Sequence, residues 1–410
     1  MPIVPPAPGT PLPTNVAPLP RLLAYVQALD LASYLHRPKR GLTTLTLALL
    51  WLVLAWRGSG RPEHLAQLEE PLLAALLGCR RLPCPRTLQR SLARFAARDV
   101  RRAVEVAYLA GLPYRTGRVW AAIDAHQLPY WGRGKLARFQ KGWAGAQGRP
   151  LRGYRLYLAV DTDAGQVITY LLARGGRRDH QALAVLARRV RALLRRHLAG
   201  VVADCGFTSR ASVAALAGTD IPFILGFARS APIRRRLAAL SGQQWRGLRE
   251  GGAIRLGPCP WDPRLRLFAL GARTPGDQRG PWVYVTSLRT AGPQHLAATY
   301  RRRWRAEQAS EELHNGHDLD HLVSYRLHPN QVAVGFRLLA RNLAIGHQIA
   351  EAQARPDTIR EPRAFRATRV DGLGTFAVEE QAIVVTPLRP QPPEPPYPLP
   401  WVQRLVRYAA

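Results

Sequence analysis

The 410-residue chain carries 59 Lys+Arg against 27 Asp+Glu, a formal net charge of +32, and only Lys39, Lys135 and Lys141 among its basic residues are lysines. That balance argues against a basic partner and favours a polyanion, nucleic acid before anionic lipid, although an Ala/Arg/Gly/Pro-rich chain with one Met also reflects GC-rich coding bias. A hydrophobic content of 47% excludes global disorder, and the length suggests two or three domains.

In chain order, residues 1–20 hold eight prolines and no charged side chain, which predicts a disordered lead-in. No charged n-region followed by an apolar h-region is visible, so no secretory leader is expected. Residues 21–112 read as a helical region with breaks at 57–60 and 82–85. Within it, residues 43–56 form the longest mostly apolar run, too short for the roughly 20 residues of a membrane span, and predict a buried helix. Residues 85–95 project Arg86, Gln89, Arg90 and Arg94 opposite Leu88, Leu92 and Phe95. Such a helix is either a recognition helix laid in a DNA groove or a solvated basic face on a packed helix. The cysteines, Cys79, Cys84, Cys205 and Cys259, lack a zinc spacing and fit a reduced, intracellular compartment.

The period changes near residue 118. Short apolar or alternating runs at 119–123, 154–160, 166–172, 200–203 and 221–225, with helical patterns at 179–197 and 208–217, give the order β-β-β-α-β-α-β. A mixed sheet flanked by helices follows. Residues 228–294, punctuated by Gly and Pro, predict a β-rich insertion. An uninterrupted helix is expected over 295–314, stopped by Asn315-Gly316, and a second helix over 330–351. Residues 355–410 read as a loose tail with a proline-rich run.

Carboxylates are scarce enough to inspect one by one. Asp124 and Asp204 each end a short apolar strand, where they either cap the following turn or, as a pair, share divalent cations such as Mg²⁺ or Mn²⁺. Asp161 and Asp163 read as hairpin-turn residues and Asp179 as a helix N-cap. On the helix from 295, Tyr300, Arg303, Glu307 and His314 fall within a stripe about 60° wide, with Glu311 beside it as a rival third acid. An acid, a guanidinium, a phenol and an imidazole on one stripe suit a metal-bound phosphodiester; the alternative is a surface helix laced with Glu–Arg pairs.

The spacing of Tyr300, Arg303, Glu307 and His314 resembles the Y-x2-R-x3-E-x6-K signature of insertion-sequence DDE transposases. Ile123-Asp124 resembles their first catalytic Asp, and the stretch Ala203-Asp204-Cys205-Gly206-Phe207 their second. His314 stands where Lys is commoner, making a phosphate contact there more pH-dependent, and Cys205 stands where a basic residue is frequent. The resemblance covers roughly residues 115–350. It implies an α/β fold with an RNase H-like core (113–227 and 295–354), a β insertion (228–294), an all-helical N-terminal DNA-binding region (21–112) and a tail (355–410). It further implies catalysis and metal binding by Asp124, Asp204 and Glu307 with two Mg²⁺ or Mn²⁺ ions. DNA contacts would come from Tyr300, Arg303 and His314, and from Arg86, Arg90 and Arg94 of the basic helix. Water would attack first, and the exposed 3′-OH would then attack target DNA, with no covalent protein–DNA intermediate. The implied partners are terminal inverted repeats and target DNA, bound by a homodimer without membrane involvement, in the cytoplasm on the nucleoid. The alternatives are a related metal-dependent nuclease without strand transfer and an inactive DNA-binding protein.

Overall fold

A computed structural model of the chain describes residues 11–35, 42–68, 71–79, 81–115, 117–132, 139–144, 148–271, 281–352, 362–379, 382–388, 397–398 and 405–408. The chain forms two compact units, Met1–Arg115 with Glu311–Ala410, and Thr116–Ser310.

The first unit starts with a short strand, β1 (Leu12–Thr14), followed by helices α1 (Leu19–Ala28), α2 (Ala32–Leu35), α3 (Thr44–Trp56), α4 (Pro71–Leu76), α5 (Pro85–Ser91) and α6 (Ala97–Ala110). The apolar run expected as a buried helix is α3, and all thirteen of its residues are buried. The Thr43 side chain accepts from Thr46 N–H and starts it. On α5 and the 3-10 turn after it, Arg86, Gln89, Arg90 and Arg94 are exposed while Leu88, Leu92 and Phe95 are buried, the two faces read from the sequence.

Later segments complete this unit. Helix α13 (Leu327–Ala352) packs on α3 and α6. Phe336 meets Phe95 edge to face, and Trp56 Nε1 donates to the Ala340 carbonyl at 2.8 Å. α13 begins three residues before the expected Asn330, because the Asn330 side chain accepts from Val323 N–H and donates to the Ser324 and Arg326 carbonyls, folding the preceding loop onto the first turn. Residues 362–408, expected as a loose tail, instead contain α14 (Pro362–Arg369) and strands β11 (Gly374–Val378), β12 (Ala382–Pro387), β13 (Tyr397–Pro398) and β14 (Leu405–Tyr408). Together with β1 they form a sheet in the order β1-β11-β12-β14-β13. The expected disordered lead is therefore corrected over residues 11–20: β1 has a partner in β11, and α1 starts with its Pro in the first turn, where a missing N–H costs nothing. Residues 1–10 and most of the proline-rich run lie outside the described residues.

The second unit is built on one sheet. Its strands are β2 (Val119–Pro129), β3 (Gln140–Ala144), β4 (Arg149–Asp161), β5 (Val167–Arg174), β6 (Leu198–Ala203), β7 (Phe223–Phe227), β8 (Ala253–Cys259), β9 (Asp262–Leu270) and β10 (Trp282–Thr286). Among the described residues the order is β3-β4-β2-β6-β7-β10-β9-β8, with β5 on β4. β2, β6 and β7 run parallel, and β4, β5 and the inserted strands are antiparallel. Helices α7 (Asp179–Leu194) and α8 (Arg210–Ala217) are the crossovers of the expected β-β-β-α-β-α-β order. This is the mixed α/β sheet expected of an RNase H-like core. The insertion differs from its β-rich reading: it starts with helices α9 (Ala231–Ala238) and α10 (Gly242–Arg249), and its strands extend the core sheet through β10 on β7. α10 opens on a capping box formed by Ser241 and Gln244, a local signal that strand patterning obscured.

The expected single helix over 295–314 is two, α11 (Pro293–Arg301) and α12 (Trp304–His317), broken at residues 302–303. α12 also runs through Asn315-Gly316 and ends where Asp318 takes a positive φ of 52°. Asn is tolerated inside a helix at small cost, so the expected stop was a preference and not a barrier.

Arg337 is buried in α13 and donates to the carbonyls of Leu319 (3.2 Å), His321 (2.9 Å) and Gly60 (3.2 Å). A Cβ on Gly60 would lie 2.0 Å from the guanidinium, so only glycine allows this approach. Replacing Arg337 by Leu strands three carbonyls and is expected to lower stability by about 2–4 kcal/mol, measured by urea unfolding.

Candidate functional site

The parallel pairing of β2 with β6 ends at Ile123 and Ala203, and the next residue along the chain from each is an aspartate. Asp124 and Asp204 therefore emerge side by side from adjacent parallel strands. Asp204 leads into a 3-10 turn, Cys205–Phe207, and its Oδ1 accepts from Gly206 N–H at 3.0 Å. β7 passes close behind this turn: a Cβ on Gly226 would lie 2.6 Å from Cys205 N, so glycine is required there. Asp124 does not end its strand, as the sequence had suggested. β2 runs on to Pro129, paired with β4, with Asp124 opposite Leu158. The polar residues after Asp124 hid this continuation, since pairing with a long neighbour and not apolar content sustains it.

The third carboxylate, Glu307, lies in the first turn of α12, just after the helix break. Arg303, immediately before α12, forms an ion pair with Glu307 one turn on and places Nη1 3.8 Å from Asp124 Oδ1. Its guanidinium also lies 5.8 Å from the centre of the Tyr300 ring, and Tyr300 packs on Tyr284 of β10 with ring centres 4.1 Å apart. Tyr300, Arg303 and Glu307 thus gather despite the break between α11 and α12. Beside them, Arg302 pairs with Asp163 at 2.9 Å.

Electrostatics marks this cluster. The Asp124 and Arg303 side chains are each 17% exposed, against 58% for Glu307. Burial, opposed by Arg303 and reinforced by Asp204 and Glu307, pushes the Asp124 carboxyl up to about 6. Burial also raises Asp204, with Arg303 opposing and Asp179 adding to it. Burial pushes the Tyr300 phenol up to about 12. Burial alone would lower the Arg303 guanidinium, yet Tyr300, Glu307 and Asp124 hold it above its ordinary value. Three carboxylates around one guanidinium leave excess negative charge and hard oxygen donors, a set suited to divalent cations such as Mg²⁺ or Mn²⁺.

A supporting cluster was missed in the sequence. Asp179, expected as an N-cap, is the first residue of α7. Its carboxylate is gripped by Arg155 of β4, at 2.8 Å and 2.7 Å, and by the Tyr157 hydroxyl at 3.0 Å. This bidentate pair pins the start of α7 to the sheet beside Asp204. The alternation of residues 154–160 placed Arg155 on a strand, but a partner 24 residues away leaves no local signal. Asp161 accepts from Asp163 N–H and Ala164 N–H, the turn role read for it. His314 and Glu311 belong to the first unit, where His314 Nδ1 lies 2.9 Å from Asp320 Oδ2 and Glu311 is exposed. Arg86, Arg90 and Arg94 also lie in that unit.

The profile of the transposase DDE domain family matches residues 116–343, more than half of the chain. The protein belongs to this family of DNA-transposition enzymes. Among solved structures it is similar to the piggyBac transposase in a cryo-EM synaptic complex with hairpin DNA, with a TM-score of 0.51, 14% identity, and coverage of 88% of this chain and 82% of that one. At that identity the likeness speaks for the fold. No curated protein matches the chain. Among the described residues no helix is long and apolar enough to cross a membrane.

The raised Asp124 carboxyl fixes the sign of a pH effect. The folded state holds this proton more tightly than the unfolded state, so the contribution to stability is full below about pH 4 and is lost as pH rises through about 6. In metal-free protein, Asp124→Asn is expected to raise stability at pH 7.5 by about 1–3 kcal/mol and to change it little at pH 4, measured as Tm in EDTA.

Proposed function

We propose that this protein is an insertion-sequence DNA transposase that cuts element ends by metal-dependent hydrolysis and joins the resulting 3′-OH to target DNA. The observation that carries this reading is the convergence of Asp124, Asp204 and Glu307 around Arg303, where the parallel pairing of β2 with β6 ends. Asp124, Asp204 and Glu307 would hold two Mg²⁺ or Mn²⁺ ions, and ions so bound would activate the attacking oxygen and stabilise the leaving one.

The chain's own residues have separate tasks. Arg303 neutralises the carboxylates before substrate arrives, and its guanidinium can fork onto a phosphate oxygen. Tyr300, with its phenol near 12, stays protonated at neutral pH and can donate to a neighbouring phosphate. No Ser, Cys or Tyr is assigned as a nucleophile, because water and then a DNA 3′-OH serve in turn. The Arg155–Asp179 pair holds α7 in place and fixes the surroundings of Asp204. Arg86, Arg90 and Arg94, exposed on one face, contact the DNA backbone or groove, and His314 contacts phosphate. Two element ends call for a homodimer on DNA, acting in the cytoplasm on the nucleoid. The family membership supports transposition, and the net charge of +32 supports a DNA partner.

The test uses full-length protein, Mg²⁺ and DNA carrying the flanking terminal repeats. Asp124→Ala, Asp204→Ala and Glu307→Gln are each expected to lower cleavage at least about 100-fold while leaving DNA affinity within about threefold. Undiminished cleavage in any of them overturns its assignment. Joining of pre-cleaved ends to target DNA is the expected second activity; hydrolysis without joining would make the protein a nuclease instead.

A further inference from the structure

A second basic site lies on the insertion. The register pairs Arg255 with Phe268, Phe268 with Tyr284, and Arg266 with Thr286, so these residues share one face of β8, β9 and β10. On that face is a cavity of about 310 Å³ whose lining includes Arg255, Arg266, Arg289, Thr286 and Thr290, with Gly292 and Pro293 at the start of α11. Its described lining contains three guanidiniums and no carboxylate.

The donors are available. Arg266 gives one Nη to the Leu288 carbonyl, while its Nε is buried without a hydrogen-bond partner. Arg255 is exposed and in no ion pair among the described residues. Arg289 is also exposed, and the nearby carboxylate is Asp262, which is held below its ordinary value first by its bond to Arg264 and lastly by Arg289. Gly292 offers no side-chain cap, so first-turn N–H groups of α11 add to the positive end of the cavity. The volume is at the small end of ligand pockets, which start at roughly 300 Å³, and leaves ample room for a phosphate group.

We infer that this cavity is a phosphate cradle for the DNA backbone, engaging the same strand that reaches the carboxylate site. α11 leads from Pro293 at the cavity to Tyr300 at that site, about 10 Å along the helix. That span equals about three nucleotides at 3.4 Å per strand step. One strand can thus set one phosphate in the cavity and another at Tyr300 and Arg303. The inference rests on the transposase reading, and the two fail separately: undiminished cleavage in Asp124→Ala with cradle binding intact removes the catalytic assignment alone.

The test measures how binding of a random-sequence 20-bp duplex to the full-length protein depends on NaCl. The double variant Arg255→Gln/Arg289→Gln is expected to reduce the slope of log K against log salt by about 0.9, the share of one phosphate, and to lower affinity about tenfold at physiological salt. A control of equal charge, Arg188→Gln/Arg196→Gln, takes two exposed arginines from α7 and the 3-10 turn after it and is expected to change the slope by less than about 0.3. Matching thermal melts establish that both variants fold. An unchanged slope in the cavity variant, or an equal change in the control, overturns the proposal. Inorganic phosphate is the second probe: stabilisation of wild type by phosphate, lost in the cavity variant whose DNA slope is unchanged, makes this a small-anion site and also overturns it.

Discussion

Repulsion among Asp124, Asp204 and Glu307, answered by the one guanidinium of Arg303, is the constraint around which the second unit is organised. Burial, reinforced by its acidic neighbours, raises the Asp124 carboxyl, and such a cluster persists only where the fold forces it together. The forcing elements are identifiable. β2 and β6 run parallel and reach their aspartates in step. Gly226 lets β7 close behind the Asp204 turn. The break between α11 and α12 turns Arg303 toward Asp124, and Tyr284 and Tyr300 pack beneath it. The Arg155–Asp179 pair anchors the helix that begins beside Asp204.

The carboxylates of this site were legible in the sequence because two of them follow short apolar runs and the third sits in a spaced helix signature. What sequence could not supply was long-range pairing. Asp179 carries no mark of Arg155, and the continuation of β2 past Asp124 depends on β4 as a partner. The helical stripe was read across a helix that breaks at residues 302–303, yet Tyr300, Arg303 and Glu307 still meet, since the break redirects the chain without separating them. In the first unit the buried α3 was plain from composition, whereas the sheet of β1 with β11 to β14 joins segments more than 350 residues apart and has only weak local patterns.

Charge had a coarse meaning at first and a positional one afterwards. A total of +32 argues only for a polyanion. Placed on the structure, arginines fall into distinct roles: Arg337 is spent on buried carbonyls, Arg155 on Asp179, and Arg303 on the carboxylate cluster. Arg255, Arg266 and Arg289 line a cavity without acids. Arginines of the last kind, and those on the exposed face of α5, are open to phosphate.

The most direct test of a shared metal centre is metal-directed cleavage of the polypeptide itself. Fe²⁺ replacing Mg²⁺, with added H₂O₂ and with ascorbate to regenerate Fe²⁺, reduces the peroxide to hydroxyl radicals at the bound ion, and the cut sites are read by mass spectrometry. The expected result is backbone scission beside Asp124, Asp204 and Glu307, suppressed by excess Mg²⁺ and abolished at all three places by Asp124→Asn. Scission elsewhere, or cuts at Asp204 and Glu307 that survive Asp124→Asn, would contradict a single centre held by these three carboxylates.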